Sequence, residues 1–137
     1  MDSKTILSNG DLKATSQRIK MLSLLDKYGH LTIKRIYKEL KRDASTISLS
    51  TVYNNIESLS EKNIVKRVPI PRQKEVYELN SGTHAHHVCK HCGKITDIEI
   101  DPFKLKESVE LSKEVKIDSI DIIFSGFCSN CYSGVKK

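Results

Sequence analysis

Two Cys-x-x-Cys pairs, Cys89/Cys92 and Cys128/Cys131, constrain this chain more than any other feature, and they account for all four of its cysteines. In a reducing compartment this spacing reads as a zinc site rather than a disulfide framework. Four thiolates suit Zn²⁺ in a closed structural site with no position left for a substrate. A single pair would leave a redox dithiol as a competing reading, but two pairs argue against it. The first pair lies in the stretch His84-Ala85-His86-His87-Val88-Cys89-Lys90-His91-Cys92, which also holds four of the five histidines. Imidazole and thiolate are the main ligands for transition metals. The stretch is therefore a metal locus, and its mixed composition suggests two loci.

Charge divides the chain. Residues 1–80 carry 15 Lys and Arg against 9 Asp and Glu, whereas residues 81–137 carry 8 of each. Lysine-rich background composition is the bland explanation. A surface that meets a polyanion is the one that accounts for the segregation. No apolar run approaches the roughly 20 residues that cross a bilayer. The first residues show neither a long apolar region nor a small-residue cleavage site, so the expected location is cytoplasmic.

Taken in order, residues 1–11 form a short helix or an arm. Thr15 is an N-cap before Ile19, Leu22, Leu25 and Tyr28, which recur near the helical period, and Gly29 is the stop. Thr32 caps a second helix with Ile33, Ile36, Tyr37 and Leu40 on one face. A polar linker over 43–48 leads to a third helix from about Ser50 to about Lys62. Its inward stripe is Val52, Ile56 and Leu59. Its opposite face is Thr51, Asn54, Asn55 and Ser58, uncharged and able to hydrogen-bond base edges, with Tyr53 beside it. A solvated face is the alternative for this helix taken alone. Two β-like runs follow, 64–68 and 75–79, joined by a basic turn with Arg72 and Lys74. Three helices and a basic-tipped hairpin make the winged-helix plan, with the third helix in the major groove and the wing on the backbone or minor groove.

Residues 80–83 read as a hinge. Beyond it come a strand over 94–100, a helix opened by Asp101-Pro102, and an apolar strand over 119–127 that delivers Cys128. So small a unit needs a staple, which zinc or a partner subunit would supply. The fold class is α+β, with a winged-helix DNA-binding domain over 1–80 and a zinc-stapled α/β dimerisation domain over 81–137.

If zinc takes four sulfurs, the histidines need another role. His84 and His86 are two apart and share one side of an extended segment. With a carboxylate they would form a labile site for Fe²⁺, Mn²⁺ or Zn²⁺. Glu78 and Asp97 are the candidate carboxylates. His30 belongs to the helical half, and spacing alone does not join it to them. His91 is expected to be exposed and His87 not to ligate. A metal-dependent hydrolase or redox enzyme using the histidine site, and a metal-buffering protein, are readings from other classes. Basic charge confined to the helical half disfavours both.

The sequence resembles the ferric uptake regulator superfamily of metal-dependent repressors over roughly residues 11–131. The resemblance rests on Leu12-Lys13-Ala14-Thr15-Ser16-Gln17-Arg18, Ser50-Thr51-Val52-Tyr53-Asn54-Asn55-Ile56, Glu75-Val76-Tyr77-Glu78, His84-x-His86-x-x-Cys89-x-x-Cys92-Gly93-Lys94 and Cys128-x-x-Cys131. It implies a homodimer that binds palindromic double-stranded operator DNA and is not an enzyme. It implies structural Zn²⁺ on the four cysteines, and Fe²⁺ or Mn²⁺ at a regulatory site of His30, Glu78, His84, His86 and Asp97 that joins the domains. The DNA-binding set is then Lys13, Arg18, Thr51, Tyr53, Asn54, Asn55, Arg72 and Lys74. Thr83-His84-Ala85-His86 and Tyr53-Asn54-Asn55 look most like the peroxide-sensing branch, whereas Glu78 stands where that branch commonly has Asp. That branch implies oxidation of ligand histidines, His30 or His84. An iron- or zinc-responsive repressor without peroxide sensing is the alternative.

Overall fold

The computed structural model describes residues 2–71, 75–82 and 84–135, and the chain divides into two compact units, Met1–Ser81 and Gly82–Lys137. Among the described residues no helix is long and apolar enough to cross a membrane.

The first unit begins with helix α1, Ser3–Asn9, capped by the Asp2 carboxylate accepting from the Thr5 amide. Its Leu7 is fully buried, so this segment is a helix built into the core and not a free arm. Helix α2, Ser16–Tyr28, starts where the Thr15 hydroxyl accepts from the Arg18 amide and stops at Gly29, whose φ of +81° an L side chain would strain. Strand β1 is only Leu31–Thr32. Thr32 caps helix α3, Ile33–Asp43, and Ser48 caps helix α4, Leu49–Glu61. The Val52, Ile56 and Leu59 stripe of α4 is buried against Met21, Leu22, Leu25, Ile36 and Leu40. Each such side chain contributes about 1.5–3 kcal/mol by leaving water. Tyr28, on the expected apolar face of α2, is instead 41% exposed, with the Lys27 and Arg35 cations over its ring.

Strands β2, Val65–Val68, and β3, Val76–Leu79, form the hairpin, and β1 pairs along the other edge of β3. Helices followed by this three-stranded antiparallel sheet make a winged helix. The wing-tip residues Arg72 and Lys74 lie outside the described residues.

The second unit contains strands β4, Ala85–Cys89, and β5, Ile95–Ile98, helix α5, Pro102–Lys113, strand β6, Ile123–Gly126, and helix α6, Ser129–Val135. β4 is central, antiparallel to β5 and parallel to β6. The Asp101 carboxylate caps α5, whose first residue is Pro102. No residue of α5 is buried, and Phe103 and Leu111 are 81% and 75% exposed. Among the described residues of this unit the buried side chains are Ala85, His86, Val88, Cys89 and Cys128. That is too little apolar surface to offset the ordering of some fifty residues, at roughly 1–2 kcal/mol each for the backbone alone.

Candidate metal centres and nucleic-acid interface

Cys89 ends β4, Cys92 sits in the turn that follows, Cys128 follows β6, and Cys131 is in α6. The parallel pairing of Cys89 with Gly126 brings the two pairs to one end of the sheet. The four sulfurs lie within 4.8 Å of one another, and Cys92 Sγ is 3.7 Å from Cys128 Sγ. A tetrahedral ion with Zn–S bonds of about 2.3 Å requires sulfurs about 3.8 Å apart, so the cluster fits Zn²⁺. The thiol chemistry agrees. Backbone N–H groups of Cys92 and Cys128 hold the Cys89 thiol down to about 5. Cys131 is pushed up to about 12, first by its hydrogen bond with Cys128 and then by burial. Four thiolates this close repel, and a divalent cation removes that conflict.

One residue before β4, His84 lies on the same side of the strand as His86, and the β4–β5 register sets His86 opposite Asp97. His84 Nε2 lies 3.0 Å from His86 Nε2, and the two nitrogens lie 3.6 and 3.5 Å from Asp97 Oδ1. His84 Nδ1 is 3.3 Å from the Gly82 carbonyl oxygen. A carbonyl only accepts, so this contact is a hydrogen bond in the Nδ1–H tautomer, the one that turns the Nε2 lone pair towards a metal. Two imidazole nitrogens and a carboxylate oxygen converge, as donors to a cation do. Metal–ligand bonds of about 2.0–2.2 Å suit a triangle of this size. His87 lies on the opposite face of β4, where its Nε2 would be 3.2 Å from any Cβ placed on Gly126, and His91 is exposed in the turn.

In the first unit, continuing the antiparallel β1–β3 register by one residue sets His30 opposite Glu78. His30 Nε2 and Glu78 Oε2 are 3.0 Å apart, and Glu78 is buried. The Gly29 turn aims this histidine. The five residues of the expected regulatory set thus fall as a pair on the first unit and a triad on the second.

The exposed face of α4 presents Tyr53, half exposed, and Asn54. The Thr51 hydroxyl bonds Ser48 Oγ at 2.8 Å. Arg18 and Asn55 are engaged within the fold: Arg18 Nε donates to Asn55 Oδ1, its Nη1 donates to the Lys13 carbonyl, and Asn55 Nδ2 donates to the Thr51 carbonyl. They brace α4 against α2. Lys13 is exposed just ahead of α2.

Residues 9–125 match the model of the ferric uptake regulator family. The chain belongs to that family. It is a metal-responsive transcription regulator and not an enzyme. It is 31% identical to the ferric uptake regulation protein of Bordetella parapertussis, covering 98% of this chain and 99% of that one. It is also 31% identical to the peroxide-responsive repressor PerR of Staphylococcus saprophyticus, covering 95% and 89%. Among solved structures, the Campylobacter jejuni peroxide stress regulator superposes with a TM-score of 0.75 at 30% identity, covering 96% of this chain and all of that one.

Sequence reasoning missed three features of this regulator. Glu39 is buried under Arg35 and Arg42, and its position on the edge of the α3 apolar face was the available signal. Glu75 accepts from Tyr77, two residues along the same segment, and from Arg67 across the hairpin; only the strand register reveals the second contact. The Arg18–Asn55 bond joins residues 37 apart, and no local pattern signals it.

Proposed function

We propose that this regulator is a homodimeric, metal-activated repressor of palindromic operator DNA that releases DNA on exposure to peroxide. The observation that carries the reading is the His84–His86–Asp97 triad, an open nitrogen and oxygen donor set a few residues from a closed sulfur set. Nitrogen and oxygen donors suit Fe²⁺ or Mn²⁺ and exchange them readily, whereas four thiolates retain Zn²⁺. In this reading His30 and Glu78 complete the regulatory ligand set, and Cys89, Cys92, Cys128 and Cys131 hold structural zinc. The likeness to peroxide-responsive relatives in Staphylococcus and Campylobacter supports the peroxide branch.

Tyr53 and Asn54 face the bases, Thr51 and Lys13 meet the backbone, and Arg72 and Lys74, outside the described residues, are the further basic contacts that the sequence offers. Arg18 and Asn55 act by holding α4 in place. The affinity difference of the metal between DNA-competent and incompetent forms sets how far the population shifts. Ferrous iron, when bound, supplies the electrons that split peroxide. Overall one peroxide oxygen replaces the hydrogen on a ring carbon of His84 or His30 and the other leaves as water (C–H + H2O2 → C–OH + H2O), so that peroxide is the two-electron oxidant of the ring. The oxidised ring is a weaker ligand, the regulatory set is lost, and DNA is released. Mass spectrometry of the Fe²⁺-loaded protein after peroxide tests this. One added oxygen on the His30 or His84 peptide, with parallel loss of DNA binding, is expected. Unmodified histidine peptides with DNA binding intact would remove peroxide sensing and leave an iron- or zinc-responsive repressor.

A further inference from the structure

Helix α3 carries Lys34, Arg35, Lys38, Lys41 and Arg42, all exposed. At about 100° per residue the five cations fall within an arc of about 120°, and the core-facing residues Ile36 and Leu40 lie opposite. A merely solvated face would mix signs along its length. Here the one acid between Lys34 and Arg42 is Glu39, and it is 7% exposed. Glu39 holds Arg35 at 3.0 Å and Arg42 at 3.2 Å from beneath. Asp43, the next acid, pairs with Lys20 of α2. The arc is also pre-ordered. Lys41 Nζ donates to the Tyr37 hydroxyl at 3.0 Å and sits over that ring, and the Arg35 guanidinium lies over Tyr28.

We propose that this arc is a second DNA-contacting surface, which clamps the phosphate backbone beside the groove that α4 reads. The proposal rests on the DNA-binding reading of α4. Helices α3 and α4 pack together across the five residues 44–48 as the two helices of a helix-turn-helix. In such a pair the first helix crosses the backbone while the second enters the major groove. From Lys34 to Arg42 the helix rises about 12 Å. One strand of duplex offers a phosphate about every 3.4 Å along the axis and at roughly twice that spacing along the strand itself, so with the reach of the lysine stems the arc meets two or three phosphates. Lys34, Lys38 and Lys41 are the three cations that Glu39 does not neutralise. Partner charge and cation count therefore agree.

The test is the triple variant Lys34→Gln, Lys38→Gln, Lys41→Gln of the full chain, compared with the wild type and the triple Arg variant, all loaded with Mn²⁺. Binding to duplex from the gene's own promoter and to an unrelated duplex is titrated across salt. Each phosphate contact contributes about 0.9 to the slope of log K against log salt. The Gln variant is expected to lose between two and three from that slope per protomer. Its affinity should fall more than tenfold on both duplexes alike, and the Arg variant should restore it. Unchanged slope and affinity in the Gln variant, with Tyr53→Ala abolishing operator preference, would overturn the arc and leave the α4 reading standing. Failure of the wild type to bind either duplex would overturn both. The three lysines are exposed and lie outside the buried core, and far-ultraviolet circular dichroism of the Gln variant matching the wild type separates lost charge from lost fold.

Discussion

Removing zinc is expected to unfold the second unit while the first survives. The perturbation is either a strong chelator or Cys128→Ser. Among the described residues of 82–137 the buried apolar side chains are Ala85, Val88, Cys89 and Cys128. Val88 contributes no more than about 3 kcal/mol and Ala85 less. A structural Zn²⁺ on four thiolates contributes on the order of 10–16 kcal/mol, as much as the whole stability of a typical domain at about 5–15 kcal/mol. No other source within the chain is of that size. The first unit has its own core of fourteen buried residues and none of the cysteines. The assay is hydrogen exchange resolved by peptide, with zinc content measured in parallel. After zinc removal the amides of His86, bonded to the Ile122 carbonyl, and of Lys90, bonded to Gly126, should exchange at open-chain rates. Those of α2 and α4 should stay protected. Persistent protection of β4 in zinc-free protein, or protein purified without zinc, would refute the reasoning.

Further outcomes follow from single contacts. His84→Ala or His86→Ala should weaken Mn²⁺ binding beyond the roughly 10–100-fold lost with an outer-shell partner while leaving zinc stoichiometry unchanged, as metal titration would show. Burial, followed by its hydrogen bond to Glu75, pushes the Tyr77 hydroxyl up to about 12. The raised value means that its contribution to stability is complete below about pH 10 and is lost as pH rises through about 12. Tyr77→Phe should therefore flatten the alkaline limb of a denaturation profile. Glu75, lowered first by Arg67 and then by Tyr77, contributes above its ordinary range and loses that contribution as pH falls below it. Leu22→Ala, at a fully buried site, should cost about 2–5 kcal/mol in denaturant unfolding of the first unit.

The helical half was legible because its signals are local. Thr15, Thr32 and Pro102 start helices as their chemistry predicts, and Gly29 stops one. The start of α4 lay slightly earlier than read, since Ser48 and Ser50 are both competent caps and only the observed bond to the Thr51 amide separates them. Strand β1 escaped because two residues carry no alternation. Helix α6 escaped because Ser129-Asn130-Cys131-Tyr132 has no apolar period. The cysteine set was legible from spacing. The histidine set was legible only in part: two residues of separation put His84 and His86 on one side, but Asp97 joins them through antiparallel register, and His30 meets Glu78 through a strand too short to foresee. Arg18 and Asn55, polar residues in a basic half, looked ready for DNA. Their mutual bond became visible only with tertiary packing.

The parallel pairing of β4 with β6 has a consequence for how the molecule is made. Its partners, such as His86 and Ile123, stand 37 residues apart in sequence, so this sheet closes a long loop before any contact rewards it. The first unit needs only residues already synthesised when Ser81 has left the ribosome. During translation at about 5–20 residues per second, the first cysteine pair therefore waits seconds for its mate. Over that interval Cys89 and Cys92 are an incomplete chelate open to whatever soft cation arrives first. The closed four-sulfur site therefore forms only after the second pair, and with it β6, has been made.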